Sequence, residues 1–534
     1  MSVAGTSTVA GTPAIARVQW RTGWKAILGW VLGLFAVLAV SAASIIALYD
    51  TDEKLRGYAE SITGGAMYML NGRVAGTDTV GGVMANEFGF VVAFFVPIMA
   101  LALVARSTRR DEEAGRLELL LASRIGRHAP LLAALLIALG ALLALAVLTS
   151  VTMIALGADA GGALLYGAAL VGLGAVHAGS TAVLAQVFEH NRAVWGAGLA
   201  VVVLTYLLRG VGAVQDNAVL WASPLGWFDE VRPFGDDARA WPLFISLAVA
   251  VALALTAFAL AARRDVGAAL VGSRPAPARA SSVLRSPFGL ALYEHRGPII
   301  GWLALSMILM GTYGALTQAI IDALEANPSL TDFIGGGGGE QILEQIEAMF
   351  VMMQTMLTAA FVVQAMGSLR AEEDTGRLEA QLVQGRSRPA WLGVHVLVVA
   401  LGAVLIQLIG SLTLGASTAA ALGESRWTGD LLRAGVAHLP VLLLFLGLTV
   451  ALLGLWPKGR MLAWVVFGLA AVVSYMGPGI DLPQWLIDIS PFTAVGSPPA
   501  EDVDLVAVAV LAGVGLVLLV AGFFGFRRRD VPRG

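Results

Sequence analysis

The feature that most constrains this chain is a series of apolar runs, each about as long as a membrane-spanning helix. A helix needs roughly 20 consecutive apolar residues to cross the hydrocarbon core of a bilayer. Charged residues make up only 13% of the 534 residues, too few to cover the surface of a soluble protein. The first run is also too long for a signal peptide. The sequence therefore predicts an all-α polytopic membrane protein of about twelve transmembrane helices, with spans near 24–49, 82–105, 130–152, 163–187, 193–214, 242–262, 298–322, 348–369, 391–416, 436–456, 461–480 and 503–526. The fifth and eleventh spans are the weakest, because polar or Gly/Pro residues interrupt them near one end.

Basic residues gather on one side of this predicted topology. An even number of spans places both termini on the same side, together with the Arg-rich stretches 106–127, 263–296, 370–388 and 527–533. The opposite loops carry few basic residues and several acidic ones. By the positive-inside rule we expect a multi-pass protein of the inner membrane with both termini in the cytoplasm.

Composition also excludes several kinds of site. The chain has no cysteine, which excludes disulfides, Cys-ligated zinc and a thiol nucleophile. A net charge of -3 gives no reason to expect nucleic acid as a partner. No group of residues predicts a metal site or a catalytic centre, so we expect membrane lipid and small molecules as ligands.

An internal repeat relates the two halves of the chain. Four landmarks recur in the same order, each displaced by about half the length: Gly29–Trp30 with Gly301–Trp302, 111–118 with 372–379, Ser223–Pro224 with Ser490–Pro491, and 263–266 with 528–531. Because each half has an even number of spans, the repeats have parallel topology. We predict a first six-helix repeat at 1–265, a cytoplasmic linker at 266–292 and a second six-helix repeat at 293–534.

The segment that follows the second span of each half is the most informative motif. Gly115 and Gly376 are predicted to end a helix in the left-handed conformation that glycine tolerates. A short amphipathic helix then starts at Arg116 and at Arg377. One interpretation is a basic loop that only fixes topology; the other is a docking site for a cytoplasmic partner. Repetition of Gly-Arg-Leu-Glu in both halves favours docking. We call residues 111–121 and 372–382 the first and second docking segments; their candidate contact residues are Glu112, Glu113, Gly115, Arg116, Leu117, Glu118 and Leu121, and Glu373, Gly376, Arg377, Leu378, Glu379 and Leu382.

The docking segments resemble the cytoplasmic coupling region of ABC-type exporter permeases. The outer stretches 221–227 (WASPLGW) and 231–235 (VRPFG), and 293–297 (YEHRG), resemble a narrower group, the fused double-length permeases of actinobacterial polyketide-antibiotic (tetronasin-type) exporters. The second half departs from this pattern, because Phe492 follows Ser490–Pro491 where the first half has Leu-Gly-Trp. The resemblance implies a permease subunit that exports hydrophobic or amphipathic drugs, with outer-gate candidates Trp221, Ser223, Pro224, Trp227, Ser490 and Pro491.

The chain has no motif for its own energy supply. It contains no Gly-x-x-x-x-Gly-Lys-[Ser/Thr] loop, and the five glycines at 335–339 are followed by Glu340 with no lysine. An ABC-type exporter would therefore need two copies of a separate cytoplasmic ATP-binding subunit, which would hold the ATP and Mg²⁺, while this chain binds no cofactor. Closure of that pair would push the docking segments and rock the two halves between inward and outward access.

Two groups of apolar residues are candidates for a substrate cavity. Methionines on the eighth span follow helical spacing, and flexible thioethers suit varied apolar ligands. Core packing or contact with lipid explains the same pattern equally well. The candidates are Phe88, Phe94, Phe95, Met349, Met352, Met353, Met356 and Gln364.

Two other functional classes remain open. A proton-coupled twelve-helix secondary multidrug antiporter is also built from two parallel halves, but its family carries an Asp-Arg loop that is absent here, and Glu87 is the one clear intramembrane carboxylate we predict. A membrane-embedded enzyme could use Asp52–Glu53 as a metal-binding pair. A solvated acidic pair is the simpler interpretation of those two residues.

Overall fold

The chain forms two compact units, Met1–Pro275 and Ala276–Gly534. The computed structural model describes residues 7–62, 65–121, 125–265, 267–271, 281–326, 339–374, 376–383, 385, 387–477 and 482–529. These residues form helices and no strand. Eleven of the described helices are long and apolar enough to cross a membrane. The predicted class, an all-α multi-pass membrane protein, is confirmed.

The first unit contains six membrane-length helices and several short ones. Its helices are α1 (Thr12–Leu48), α2 (Asp52–Ser61), α3 (Gly65–Asn71), α4 (Val80–Glu87), α5 (Gly89–Ser107), α6 (Arg109–Glu113), α7 (Arg116–Leu121), α8 (Ala129–Ala155), α9 (Ala160–Val187), α10 (Asn191–Gln215), α11 (Pro224–Asp229) and α12 (Trp241–Arg263). The spans are α1, α5 continued by α6, α8, α9, α10 and α12.

The second span starts at Gly89, seven residues later than the sequence predicts. Residues 80–87 form the separate helix α4, whose N-cap Thr79 accepts a hydrogen bond from the backbone N of Gly82 at 3.1 Å. Glu87 ends α4 and is exposed, so its assignment as an intramembrane carboxylate is wrong. Its carboxylate accepts a hydrogen bond from the Tyr58 hydroxyl at 2.6 Å.

The described part of the second unit contains five membrane-length helices and one shorter apolar helix. Its helices are α13 (Pro287–Ala326), α14 (Gly339–Asp374), α15 (Arg377–Leu382), α16 (Arg388–Leu422), α17 (Arg426–Ala437), α18 (Leu439–Leu455), α19 (Met461–Met476), α20 (Gln484–Asp488) and α21 (Leu505–Arg528). The span predicted at 461–480 corresponds to α19, which has 16 residues. A helix of this length rises only about 24 Å, less than the roughly 30 Å of a bilayer core. Residues 478–481 lie outside the described part of the chain.

Small residues bring α18 and α21 into close contact. A Cβ atom added to Gly447 would lie 2.2 Å from the carbonyl oxygen of Gly515, and one added to Gly454 would lie 2.0 Å from that of Gly522. Without side chains between them, the two backbones pack directly, as small-residue interfaces in membranes do. This contact fixes the position of α21, whose last turn leads to the clamp described next.

Candidate docking site and its ion-pair clamps

The first docking segment has the local structure that its sequence predicts. Gly115 has φ +70°, and its backbone N donates to the carbonyl oxygen of Glu112 at 2.9 Å. A residue with a Cβ would be strained at this φ, so glycine allows α6 to end here and α7 to start at Arg116. The side chain of Leu121, at the end of α7, lies outside the described residues.

The buried carboxylate of Glu112 links this segment to other parts of the first unit. Glu112 accepts hydrogen bonds from Arg109 Nη1 at 2.8 Å, from Arg264 Nη1 at 2.6 Å and Nη2 at 2.8 Å, and from the backbone N of Gly267 at 2.7 Å. We call Arg109, Glu112 and Arg264 the first clamp. It joins the end of the second span to the residues that follow the sixth span.

The first clamp also reaches the turn between α9 and α10. Arg109 Nε donates to the carbonyl oxygen of Glu189 at 2.6 Å, and Arg264 Nε donates to Gln186 Oε1 at 2.8 Å. Beside them, Glu113 Oε1 accepts from the backbone N of Asn191 at 2.7 Å, at the first residue of α10. Displacement of the docking segment would therefore act on the ends of three other spans in this unit.

The second unit repeats this arrangement. Glu373 is buried and forms ion pairs with Arg370, at 2.6 Å, and with Arg529. We call these three residues the second clamp. Gly376 has φ +71°, and its backbone N donates to the carbonyl oxygen of Glu373 at 3.0 Å.

One further arginine supports each clamp. Arg127 donates to the carbonyl oxygen of Arg264, and Arg388 donates to that of Arg529 at 2.5 Å. The sequence repeat includes both clamp carboxylates, but it gives no sign that their partners are the arginines that follow the sixth span of each half.

The two Ser-Pro motifs also make equivalent contacts. Ser223 Oγ donates to the carbonyl oxygen of Thr205 at 2.6 Å, and Ser490 Oγ donates to that of Ala470 at 3.1 Å. Each serine thus attaches its loop to the preceding long helix, α10 or α19, while Pro224 is buried and Pro491 is half-buried.

The aromatic residues of the two Ser-Pro loops differ. Trp227 Nε1 donates to the carbonyl oxygen of Trp221 at 2.8 Å, and Trp221 stacks on Trp241 with ring centroids 5.0 Å apart. In the second unit Phe492 is buried and stacks on Phe445 at 5.4 Å. Counted from each Ser-Pro, Phe492 corresponds to the buried Leu225 and Ala494 corresponds to Trp227, so the second loop has no indole at that position.

Comparison with known proteins shows the family. A family model described as "Multidrug efflux system permease Rv1217c, C-terminal domain" matches residues 16–262 and 284–527. The chain is also 31% identical over 526 residues to the "Multidrug efflux system permease protein Rv1217c" of Mycobacterium tuberculosis (strain ATCC 25618 / H37Rv), covering 98% of this chain and 95% of that protein. The chain belongs to this multidrug efflux permease family.

Within this permease, the candidate docking residues separate into buried and accessible groups. Glu118 and Arg116 are exposed, and Arg116 pairs with Asp111 at 2.7 Å. Leu117, Glu379 and Leu382 are half-buried. Leu378 is fully buried in the core of the second unit, and the carboxylates of Glu112 and Glu373 are enclosed by their clamps. The side chain of Arg377 lies outside the described residues.

The aromatic cavity candidates of the permease, Phe88 between α4 and α5 and Phe94 and Phe95 on α5, belong to the first unit. Phe88 is buried, 6.3 Å from the ring of Tyr166, and Phe94 lies 4.5 Å from the ring of Tyr206. Phe95 is 41% exposed. The assignment of these residues to a substrate cavity stays a prediction.

The candidates on α14 have different surroundings: Met352 and Met356 pack on one buried cluster of the second unit and Met353 packs on another. Met349 is 37% exposed, and Met352, Met353 and Met356 are half-buried. Gln364 accepts a hydrogen bond from Trp302 Nε1 at 2.5 Å. Their role in substrate binding also stays a prediction.

Two buried acidic residues of the permease are not among those predicted from the sequence. Glu347 lies inside the span Gln341–Arg370, fully buried, and accepts from Thr317 Oγ1 at 2.7 Å and Thr418 Oγ1 at 3.1 Å. It was missed because the predicted span begins one residue later. Asp229 Oδ2, in the short helix α11, lies 3.6 Å from Arg209 Nη1. Burial raises the pKa of Asp229 to about 7, against the opposing effect of Arg209.

Proposed function

We propose that this chain is the transmembrane permease subunit of an ATP-driven ABC exporter, which moves hydrophobic or amphipathic drugs out of the cell. The observation that carries the proposal is the duplicated clamp. Each unit places a glycine-ended docking segment on a buried carboxylate held by two arginines. A loop that only fixed topology would need basic residues near the membrane, but no buried ion pairs beneath a short helix.

The clamps assign different roles to the residues of the docking segments. Glu112, Glu373 and Leu378 are enclosed, so they support the segment and do not contact a partner. The accessible residues Glu118 and Glu379 are the ones that we propose contact the ATP-binding subunit. A push on the first segment would pass through Glu112 and Arg264 to the end of α12, and through Arg109 to the turn before α10. Ionic hydrogen bonds of this kind resist displacement better than neutral ones.

The proposed architecture is twelve spans in two six-helix repeats, with 1–265 and 293–534 joined by a linker at 266–292. We count α19 as the eleventh span. Matching clamps, matching Ser-Pro contacts and the match of one family model to two segments of similar length support this arrangement. The docking segments face the cytoplasm of the inner membrane, together with both termini.

The energy comes from a partner in this proposal. Two copies of a cytoplasmic ABC ATP-binding subunit, each with its own ATP and Mg²⁺, would dock on the two segments, and this chain would bind no nucleotide. The tetronasin-type resemblance of the outer loop supports antibiotics of the polyketide class as cargo. The name of the mycobacterial relative supports multidrug efflux.

Charge reversal at the accessible glutamates tests the docking role. We expect the double variant Glu118→Lys, Glu379→Lys to insert and purify normally but to lose drug transport, while ATP hydrolysis by the partner continues. Glu53→Lys, in the short helix α2 away from both segments, is the matched control and should transport normally. Normal transport by the double variant would remove the docking assignment.

One observation favours the alternative of a proton-coupled antiporter. Glu347 is a fully buried carboxyl group inside a span, and its described contacts are threonine hydroxyls. Intramembrane carboxylates often belong to proton pathways. If this alternative is right, Glu347→Gln should abolish transport driven by a proton gradient in vesicles that contain this chain alone. If the exporter proposal is right, such vesicles show no gradient-driven transport to abolish.

A further inference from the structure

A basic cavity lies in the second unit, close to the end of α14 that carries Arg370 and Glu373 of the second clamp. Its volume is about 150 Å³, and it lies between α14, α18 and α19. Gln364, Arg370 and Thr449 line it together with Arg460 and Trp464, and leucine and methionine side chains complete its wall. The lining thus combines polar and apolar groups, which makes the cavity amphipathic.

The positive charge of this cavity is only partly neutralised. Arg370 forms an ion pair with Glu373 of the second clamp. Arg460 and Lys458 belong to the turn between α18 and α19, and both are exposed. Neither side chain makes an ion pair within the described part of the chain. The cavity therefore offers the guanidinium of Arg460 to an anion, and Lys458 lies two residues before it in the same turn.

The surroundings of the cavity are those of a membrane interface. Trp456, in the same turn, is 57% exposed, and Trp464 lines the cavity from the first turn of α19. Beyond them, Met461 and Val465 expose apolar side chains along the outer face of α19. Tryptophan and basic residues concentrate where lipid head groups lie, and exposed apolar residues next to them contact acyl chains.

The equivalent turn of the first unit has a different charge. Residues 188–190 join α9 to α10 there and include Glu189 and His190 where the second unit has Lys458, although Arg192 in the first turn of α10 is exposed. Arg109, which corresponds to Arg370, is only 1% exposed and donates to Glu112 and to backbone carbonyl oxygens. Among the described residues, Arg370 therefore lines a cavity whereas Arg109 is enclosed, and a general need for positive charge near the docking segments does not explain this difference.

We propose that this cavity binds the phosphate head group of an anionic phospholipid, with the acyl chains along the exposed face of α19. Arginine donates two parallel hydrogen bonds to a phosphate group, and lysine adds a point charge. Basic pockets between membrane helices are known to select such head groups. Because Arg370 belongs to both the cavity and the second clamp, a bound lipid would touch the support of the second docking segment. The first unit would have no equivalent lipid.

Native mass spectrometry of the purified full chain tests this proposal without any partner. The probes are phosphatidylglycerol, phosphatidylcholine and inorganic phosphate. We expect phosphatidylglycerol to bind in preference to phosphatidylcholine, and the double variant Lys458→Gln, Arg460→Gln to weaken this binding at least fivefold, since each basic residue near a lipid surface contributes roughly a factor of five. Arg460→Lys, which keeps the charge, should bind nearly as well as the wild type.

Arg192→Gln is the matched control, because Arg192 is the exposed arginine of the equivalent turn in the first unit. It should change phosphatidylglycerol binding by less than twofold. Millimolar inorganic phosphate should not displace the lipid. Displacement would identify a free-anion site and overturn the lipid assignment. Equal binding of both lipids, or an equal loss in the control and the double variant, would also overturn the proposal.

Discussion

The first clamp makes a sharp prediction about stability. Glu112→Gln keeps the shape of the side chain but removes the one carboxylate that two buried arginines share. In the wild type this carboxylate accepts four hydrogen bonds of 2.6–2.8 Å. In the variant the amide nitrogen faces guanidinium donors, and Arg109, 1% exposed, has no counter-ion in the clamp. Removing one partner of a buried ion pair costs about 3–5 kcal/mol. We expect the lower end of that range, about 3 kcal/mol, because Arg264 retains some contact with solvent.

Thermal unfolding followed by tryptophan fluorescence measures this loss, since the chain has 13 tryptophans. For units of this size about 3 kcal/mol corresponds to a decrease in Tm of roughly 6–12 °C. Glu118→Gln is the matched control: it makes the same chemical change six residues away, on an exposed side chain, and should leave Tm within about 1 °C, the range of a surface substitution.

A double variant identifies the cause of the loss. Adding Arg264→Gln to Glu112→Gln removes one of the two uncompensated cations, so the double variant should lose less than the sum of the single losses. Strict additivity, or a decrease in Tm of less than 2 °C for Glu112→Gln, would refute the assignment of a buried clamp.

Two further predictions concern packing and pH. Gly454→Ala should destabilise the protein by roughly 1–3 kcal/mol, because its new Cβ would lie 2.0 Å from the carbonyl oxygen of Gly522. The control Gly468→Ala, on α19 with no atom within 4 Å of its Cβ position, should be neutral or slightly stabilising. Equal Tm values for the two variants would contradict the close contact. Burial raises the pKa of Asp229 from 3.8 to about 7, so the folded protein binds this proton more tightly than the unfolded chain does. The resulting contribution to the free energy of unfolding is complete below about pH 4 and is lost as the pH rises through 7. Tm should then fall across this window by at most the equivalent of about 1.4 kcal/mol per pH unit, and Asp229→Asn should remove that slope; the same slope in the variant would assign it to another group.

The sequence correctly predicts the fold class and the order of the spans. It also correctly predicts Gly115 and Gly376 as the glycines that follow α6 and α14. These features depend on local properties, namely runs of apolar residues and one backbone conformation that favours glycine. The errors occur where a boundary depends on tertiary contacts. Residues 80–87 are apolar enough to extend the second span, but they form a separate helix that begins after the N-cap Thr79 and ends at Phe88, before α5 begins at Gly89. Glu347 lies inside a span, where two threonines on neighbouring helices donate to its Oε1, and a hydropathy pattern does not contain that information.

The candidate site was predicted in part. The repeat identifies Glu112 and Glu373, but the sequence interpretation places them on a contact surface. Each is enclosed because an arginine more than 150 residues away in sequence, Arg264 or Arg529, folds back onto it. Contacts at that distance along the chain follow from the packing of the sixth span against its unit. Glu118 and Glu379 are already among the contact residues that the sequence predicts, and the structure adds that they are exposed or half-buried, unlike Glu112 and Glu373.

The central claim is that this permease takes its energy from a separate ATPase that docks on the two segments. Drug transport into sealed proteoliposomes tests it most directly, with the purified chain alone or together with its ATP-binding partner. We predict no transport by the chain alone under an imposed proton gradient, and ATP-dependent transport once the partner is added. Gradient-driven transport by the chain alone would contradict the claim.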